Sequence, residues 1–592
     1  MISNVTTANA AFLDYLNGGT LSNITKDQAK VLDYVRGILE GSVVANVERV
    51  QACERFVRDL SNPAYEFRIA SAEFVIRLIE TTIVHVKGVK RGQPFLLEPW
   101  QKFIAYNLAG FYLAGTDERR FKEAFIFIPR KNGKTPFAAA LVWAFSILDR
   151  GTASEAYIIA NRLDRALESF DFLTKNIKYL GALEEFGILD SNAEHSIERD
   201  FAGEDGEVSG SMKITAIANN SDLADGINAN LILLDEIHAY RKPGDYLVYK
   251  DAMKAYHNKL LIGITTAGKN QNSFCYSRLQ YCQKILGRTV TDEQYFVWIC
   301  KADNPNDYTN PIEHEKANPN WNVTIRPSDI MADALQAQND PKSRAEFIAK
   351  SLDCYVNVAN SYFDMETVKA SDERYNWTLE ELARLPINWI GGADLSVVHD
   401  LTAADLYGEY KVDGKDVSII ISHGFIPITQ AQLKADEDEI PFFWWEDENW
   451  LTMCNGDTIN YADVVKQFKA WRDMGFKIKA VAFDKYKSRE FVRMMTAAGF
   501  KMFNGDQQYW KKSEAFRYLE KRINDQAFYY VHNRAYEYCI GNVKAVEDAD
   551  ERVRYEKVDP THRMDLFDAG VIACKEWIIE ADSRKKIDKW FG

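Results

Sequence analysis

FIFIPRKNGKTPFAAA, Phe125 to Ala140, is the stretch whose reading decides the fold. Apolar residues with strand character, Phe125 to Ile128, break at Pro129. A polar turn follows (Arg130, Lys131, Asn132, Gly133), and Lys134 and Thr135 then open an Ala-rich segment that reads as a buried helix. Strand, tight loop, Gly-Lys-Thr and helix form the layout of a phosphate-binding loop. In such a loop the backbone N–H groups and the helix N-terminus cradle phosphate oxygens. Lys134 is expected to reach the β- and γ-phosphates, and the Thr135 hydroxyl to ligate Mg²⁺. The usual first glycine, five residues before Gly133, is Ile128 here. On this stretch alone an ordinary strand–turn–helix with a surface lysine is an equal reading.

The chain has 592 residues, too many for one core, so two or more domains are expected. A hydrophobic content of 46% with 27% charged residues is that of a globular protein. The net charge of −14 argues against a surface coated in basic charge for non-specific nucleic-acid binding, while leaving room for local basic patches. None of the eight cysteines forms a CxxC pair, so buried thiols in a reducing cytoplasm are expected. The N-terminus has no basic n-region or long apolar run, and no segment is apolar for long enough to span a bilayer.

Residues 1–66 read as a helical region, with apolar spacing of helical period over Asp27–Leu39 and Val47–Leu60. From Phe125 short strands alternate with helices, the strands falling at 156–160, 212–216, 231–234 and 260–265. That alternation implies a parallel sheet flanked by helices, in a domain over 67–360. A linker is expected at 361–386. A second α/β domain is expected over 387–592, with a strand at Trp389–Leu395, a hairpin of Thr402–Tyr410 with Asp416–Phe425, a strand at Ala480–Asp484 and a helix capped by Ser488.

Leu231 to Glu236, LILLDE, is an apolar strand ending in two carboxylates. In an ATPase sheet Asp235 would hold the Mg²⁺ shell beside Thr135, and Glu236 would activate the attacking water. The strand LLIGITTAG ends in Thr265, Thr266 and Gly268, which could sense the γ-phosphate. Positive charge at the transition state could come from Arg130, or from Arg162 or Arg165 acting as an arginine finger in cis or on a neighbouring subunit.

In the C-terminal part, Asp394 ends the strand WIGGAD, Asp484 ends AVAFD, and Asp565 precedes the apolar helix LFDAGVIACKEW. Acids on separate elements of one sheet can build a two-metal site for phosphodiester cleavage, and all-oxygen ligands suit Mg²⁺ or Mn²⁺. Asp568, Asp400 and Asp405 compete for the same roles. Lys485, Lys487, Arg489, Arg493, Lys511, Lys512, Arg517, Lys521 and Arg522 follow Asp484, as a phosphate-backbone track or a solvated helix face.

The order of these pieces resembles the large subunit of tailed-phage terminases, from about Val47 to the end. GQPFLLEPWQKFI looks like the approach to that family's adenine-binding glutamine, here Gln101. IPRKNGKT is similar to its deviant Walker A loop, which lacks the first glycine. DGINANLILLDEIHAY resembles its Walker B segment, and GITTAG its coupling motif. GADLS, AFDKY and RMDLFDAG resemble its three acidic nuclease motifs, with Asp565 and Asp568 both fitting the third.

The resemblance implies an N-terminal P-loop ATPase domain of the ASCE type with a parallel sheet, followed by an RNase H-like α/β nuclease domain. It implies ATP-driven translocation of double-stranded DNA into a procapsid and Mg²⁺- or Mn²⁺-dependent cutting of concatemers. It also implies a ring of copies on a portal protein, a small terminase subunit as partner, and a place in the host cytoplasm but not in the mature virion. The competing readings are a helicase-like translocase with a non-cutting second domain, and a structural portal-associated protein.

Overall fold

The computed structural model describes residues 7–19, 24–203, 207–220, 226–240, 244–268, 271, 273–339, 341–355, 361–396, 401–437, 440–484, 489–505, 509–547, 553–558 and 562–591. Two compact units divide the chain, Met1–Val356 and Asn357–Gly592.

The first unit opens with helices Thr7–Leu16, Lys26–Leu39 and Val47–Leu60. A short antiparallel pair follows, β1 (Tyr65–Phe67) and β2 (Phe111–Leu113). Its main sheet contains β3 (Glu123–Phe127), β4 (Ser154–Ala160), β5 (Gly187–Asp190), β6 (His195–Ala202), β7 (Val208–Ala218), β8 (Leu231–Asp235), β9 (Leu260–Thr265) and β10 (Tyr295–Ile299). The spatial order is β10-β3-β9-β8-β4-β7-β6-β5. From β10 to β7 every neighbour is parallel, and β6 and β5 add an antiparallel edge. β3, β8, β9 and β10 are buried along their whole length, as strands covered on both faces must be.

The strands expected from the apolar runs are present as β4, β7, β8 and β9. β10 carries no alternation and went unread in the sequence. The helices of residues 7–60 belong to this same body. Asn46 Nδ2 donates to the Ile299 carbonyl (3.1 Å) and Arg55 Nη1 to the Tyr295 carbonyl (2.8 Å), so side chains from the third helix and the residue that precedes it satisfy the ends of β10.

The second unit is built on β11 (Asn388–Asp394), β12 (Thr402–Val412), β13 (Lys415–Pro427), β14 (Leu451–Cys454), β15 (Lys477–Asp484), β16 (Met502–Gly505) and β17 (Phe528–Tyr529), in the order β14-β13-β12-β11-β15-β16 with β17 also on β13. β11, β12 and β13 are antiparallel, while β15 and β16 run parallel to β11. A hairpin of β18 (Val543–Glu547) and β19 (Val553–Lys557) precedes the long helix Asp565–Phe591.

That helix lies directly on β11. A Cβ on Gly392 would stand 2.1 Å from the Ala569 carbonyl oxygen, so only glycine permits the approach. Residues 361–386, expected as a linker, instead carry the helices Met365–Asp372 and Leu379–Arg384. They are tied into this unit: Ser371 donates to the Phe528 carbonyl (2.9 Å), and Asp372 accepts the Tyr530 N–H (2.8 Å). Their short length and polar sequence concealed this docking.

Candidate nucleotide and nuclease sites

The carboxyl ends of three neighbouring strands line up in the first unit. Phe127 of β3 pairs with Thr265 of β9, and Ile264 of β9 with Asp235 of β8. In an open parallel sheet this edge is where ligands bind. The loop after β3 is bent by two left-handed residues, Lys131 (φ 69°) and Gly133 (φ 74°), and the helix Lys134–Leu148 starts at once.

A buried asparagine clamp holds the loop in shape. Asn132 Nδ2 donates to Asn318 Oδ1 (2.8 Å), and Asn132 Oδ1 accepts the Asn320 N–H (3.1 Å). Asn320 Nδ2 returns a bond to the Asn132 carbonyl (3.0 Å), while Asn320 Oδ1 accepts from Trp100 Nε1 (2.8 Å). Residues 301–321 are rich in Asn and Pro, a composition that marks loops and not a clamp. The one available signal was the N-P-N triplet at Asn318–Asn320.

Lys134 Nζ is buried and has no hydrogen-bond partner. Its nearest carboxylate oxygen is Glu236 Oε1 at 3.9 Å. Asp235 Oδ1 accepts the Glu236 N–H (2.9 Å). Burial pushes Asp235 up to about 6, with Lys134 opposing and Glu236 adding to the rise. Burial also acts to raise Glu236, but His238, Lys134, Arg130 and Arg165 outweigh it and hold that carboxyl below its ordinary value. Glu236 itself sits at φ 57°, a left-handed conformation costly for a residue with a side chain.

His238, not singled out from the sequence, stands with Nε2 at 3.4 Å from Glu236 Oε2, and its backbone N–H donates to Thr265 Oγ1 (3.0 Å). Thr266 is buried with its hydroxyl unpartnered. Gln101 Oε1 accepts the Glu98 N–H (2.8 Å), closing a capping box at the start of the helix Pro99–Gly110. Arg162 caps the helix Leu163–Leu180 with its side chain 74% exposed, paired with Asp164, and Arg165 pairs with Glu168. Thr135 is half-buried in the first turn after the loop.

In the second unit Asp394 ends β11, half-buried. On the neighbouring strand Asp405, opposite Gly392, is fully buried. Its Oδ2 accepts from Ser422 Oγ (2.7 Å) and its Oδ1 has no hydrogen-bond partner. Burial, with Asp394 and Asp568 adding repulsion, drives Asp405 well above the carboxylate range. Asp568 accepts two bonds from Lys512 Nζ (2.9 and 2.8 Å) and a third from the Tyr555 hydroxyl. One turn earlier, Asp565 Oδ1 lies 4.0 Å from Lys557 Nζ.

Among the described residues no three acids, histidines or cysteines stand close enough to hold a metal. Asp484 ends β15, parallel to β11, with its side chain outside the described part. Asp400, Lys485, Lys487 and Ser488 also lie outside the described residues, as does the Lys511 side chain. Of the proposed basic track, Arg489 and Arg493 are exposed. Lys512, Arg517 and Arg522 do not form a free face: they pair with Asp568, Glu520 and Glu409. Lys512 is buried against the buried Asp568, Arg517 and Arg522 are partly buried, and Lys521 on the same helix is exposed.

The first sheet, with its Gly-Lys-Thr loop opposite a strand ending in Asp-Glu, defines a P-loop ATPase. The second, with acids on β11 and on the helix packed over it, defines an RNase H-like nuclease fold. Residues 99–284 match the family model of the terminase large subunit ATPase domain, and residues 289–581 that of the terminase large subunit endonuclease domain.

The chain is 24% identical over 504 residues to the terminase large subunit of Enterobacteria phage HK97, covering 83% of this chain and 93% of that one. It is 24% identical over 356 residues to Protein YmfN of Escherichia coli (strain K12), covering 59% and 77%. The crystal structure of the HK97 bacteriophage large terminase is similar with a TM-score of 0.46 and 21% identity, over 85% of this chain and 99% of that one. The chain belongs to the terminase large subunit family, whose ATPase and endonuclease domains package and cut phage DNA.

Proposed function

We propose that Gly133, Lys134 and Thr135 hold the phosphates of ATP, that Thr135 and Asp235 hold its Mg²⁺, and that Glu236 is the base for the attacking water. The observation that carries this reading is a buried ammonium, Lys134, with no hydrogen-bond acceptor, 3.9 Å from Glu236 at the aligned ends of three strands. A buried cation is costly without an acceptor, and a phosphate oxygen is the acceptor this one fits. Mg²⁺, when bound, supplies charge neutralisation at the phosphates. Glu236, held ionised by the cations around it, can take a proton from water.

Arg130 lines the loop. Arg162, exposed at the same sheet edge, acts as the finger on a neighbouring copy in a ring, with Arg165 as its alternative. Gln101 meets adenine through its amide nitrogen, and Thr266 reads the γ-phosphate.

In the second unit Asp394, Asp484 and Asp565 hold Mg²⁺ or Mn²⁺. Carboxylates on separate elements of one sheet fit a divalent cation, which when bound would activate water and steady the leaving oxygen. Asp568, already bound by Lys512 and Tyr555, stands behind this set. The substrate is double-stranded DNA, and the partners are a portal protein, a small terminase subunit and further copies of this chain. The place of action is the host cytoplasm, before the virion matures. No helix among the described residues is long and apolar enough to cross a membrane.

Glu236→Gln tests the ATPase assignment. It is expected to bind a fluorescent ATP analogue as wild type does and to lose about 10³-fold in kcat. Turnover at the wild-type rate would remove Glu236 from the base role.

A further inference from the structure

We infer that Asp353 is a positioning residue of the ATPase site: through the Ala267 N–H it pins the loop after β9 where Thr266 can meet a γ-phosphate held by Lys134. This rests on the nucleotide site proposed above. Asp353 follows the helix Pro341–Leu352 and is fully buried. Its Oδ1 accepts the Ala267 N–H at 2.7 Å, across 86 residues of chain. Its Oδ2 is buried without a hydrogen-bond partner, and the same holds for the Thr266 hydroxyl next to Ala267 and for Lys134 Nζ. Buried polar atoms are nearly always paired, so three unpaired ones around one strand end fit a polar ligand with several donor and acceptor atoms.

The charges of Lys134 and Arg130 both act on Asp353, which puts it in electrostatic range of the phosphate-binding loop. Burial nonetheless drives its carboxyl well above the usual range, against the Ala267 bond and those two cations. A phosphate beside it therefore meets little added negative charge. The backbone of Asp353 is left-handed (φ 52°), a conformation that Asp and Asn tolerate better than other residues with a side chain. Acceptor and backbone geometry are thus separable by substitution.

The test measures ATP turnover, binding of a fluorescent, slowly hydrolysed ATP analogue, and thermal stability of the full chain. The variants are Asp353→Ala, Asp353→Gly and Asp353→Asn, beside Lys134→Ala. The Ala and Gly variants are expected to lose at least about tenfold in kcat while analogue Kd stays within about threefold. Asn keeps both the acceptor and the backbone preference and is expected to restore kcat to within about threefold of wild type.

A fully active Gly variant would reduce Asp353 to a backbone role and overturn the inference. An Asn variant as impaired as Ala, or a kcat loss matched by an equal loss of binding or by unfolding, would overturn it as well. Lys134→Ala separates the two claims: if that variant binds and hydrolyses ATP normally, the nucleotide site itself is wrong, whatever the Asp353 variants do.

Discussion

After β3 a cation, Lys134, is buried without a hydrogen-bond acceptor; at the end of β11 the charges of Asp394 and Asp568 act on the buried Asp405, with Lys512 bound to Asp568. The first arrangement leaves a buried donor without an acceptor, and the second crowds carboxyl groups around a buried one. Each is costly in a buried setting, and each cost is relieved by a ligand of opposite sign. On the function proposed above, the two ends would serve as complementary traps, one for a polyphosphate and one for a divalent cation. The difference extends to construction. The phosphate trap is mostly one contiguous loop of backbone, whereas the acid cluster is assembled from β11, β12 and a helix that starts at Asp565.

If the traps are independent, Asp394→Ala should lower Mn²⁺-dependent plasmid cleavage by about 10³-fold and leave ATP turnover within about twofold of wild type. Cleavage at the wild-type rate would remove Asp394 from the metal set, and a parallel loss of ATPase activity would break the comparison itself.

A smaller effect probes how the loop is held. Asn320→Ala deletes the bonds to the Asn132 carbonyl and Trp100 Nε1. The expected cost of about 1–2 kcal/mol should appear as up to about thirtyfold in the KM for ATP, with kcat little changed and cleavage untouched. An unchanged KM would mean that the loop holds its shape without the clamp.

A last effect concerns acid and touches no activity. His423 is buried on β13, its ring bonded to Thr452 Oγ1 (2.8 Å), and burial pushes it from 6.5 down to about 4. The folded state therefore binds fewer protons than the unfolded chain between those values. Its stability is full above pH 6.5 and declines as pH falls towards 4, by at most on the order of 3 kcal/mol. Asp405, raised by burial and its acidic neighbours, has the opposite sign and gains as pH falls. His423→Gln should thus flatten or reverse the loss of stability in urea titrations between pH 6.5 and 4. A variant with the wild-type pH slope would show that His423 is not the group that titrates.

The sequence went far where a pattern is written in contiguous residues. The placing of Lys134, Thr135, Asp235 and Glu236 at a loop and a strand end was readable because a strand, its end and the next turn are local features of chain chemistry. The order of the acids at 394, 484 and 565 was readable for the same reason. What stayed hidden is long-range. Asn320 meets Asn132 across 188 residues, and Lys512 meets Asp568 across 56. No local pattern announces such pairs. Lys512 and Arg522 read as a surface track because charge is visible in sequence and burial is not.

By itself, then, the sequence determined the alternation of strands and helices, the phosphate loop and the acids that end the strands, since propensity and period act within a few residues. Only the tertiary structure decided that β9 lies between β3 and β8, that helices of the first 60 residues seal β10, and that Asp353 meets Ala267. Those outcomes depend on which buried donors find acceptors once the chain is compact, a condition imposed by the excluded water and not by any neighbour in sequence.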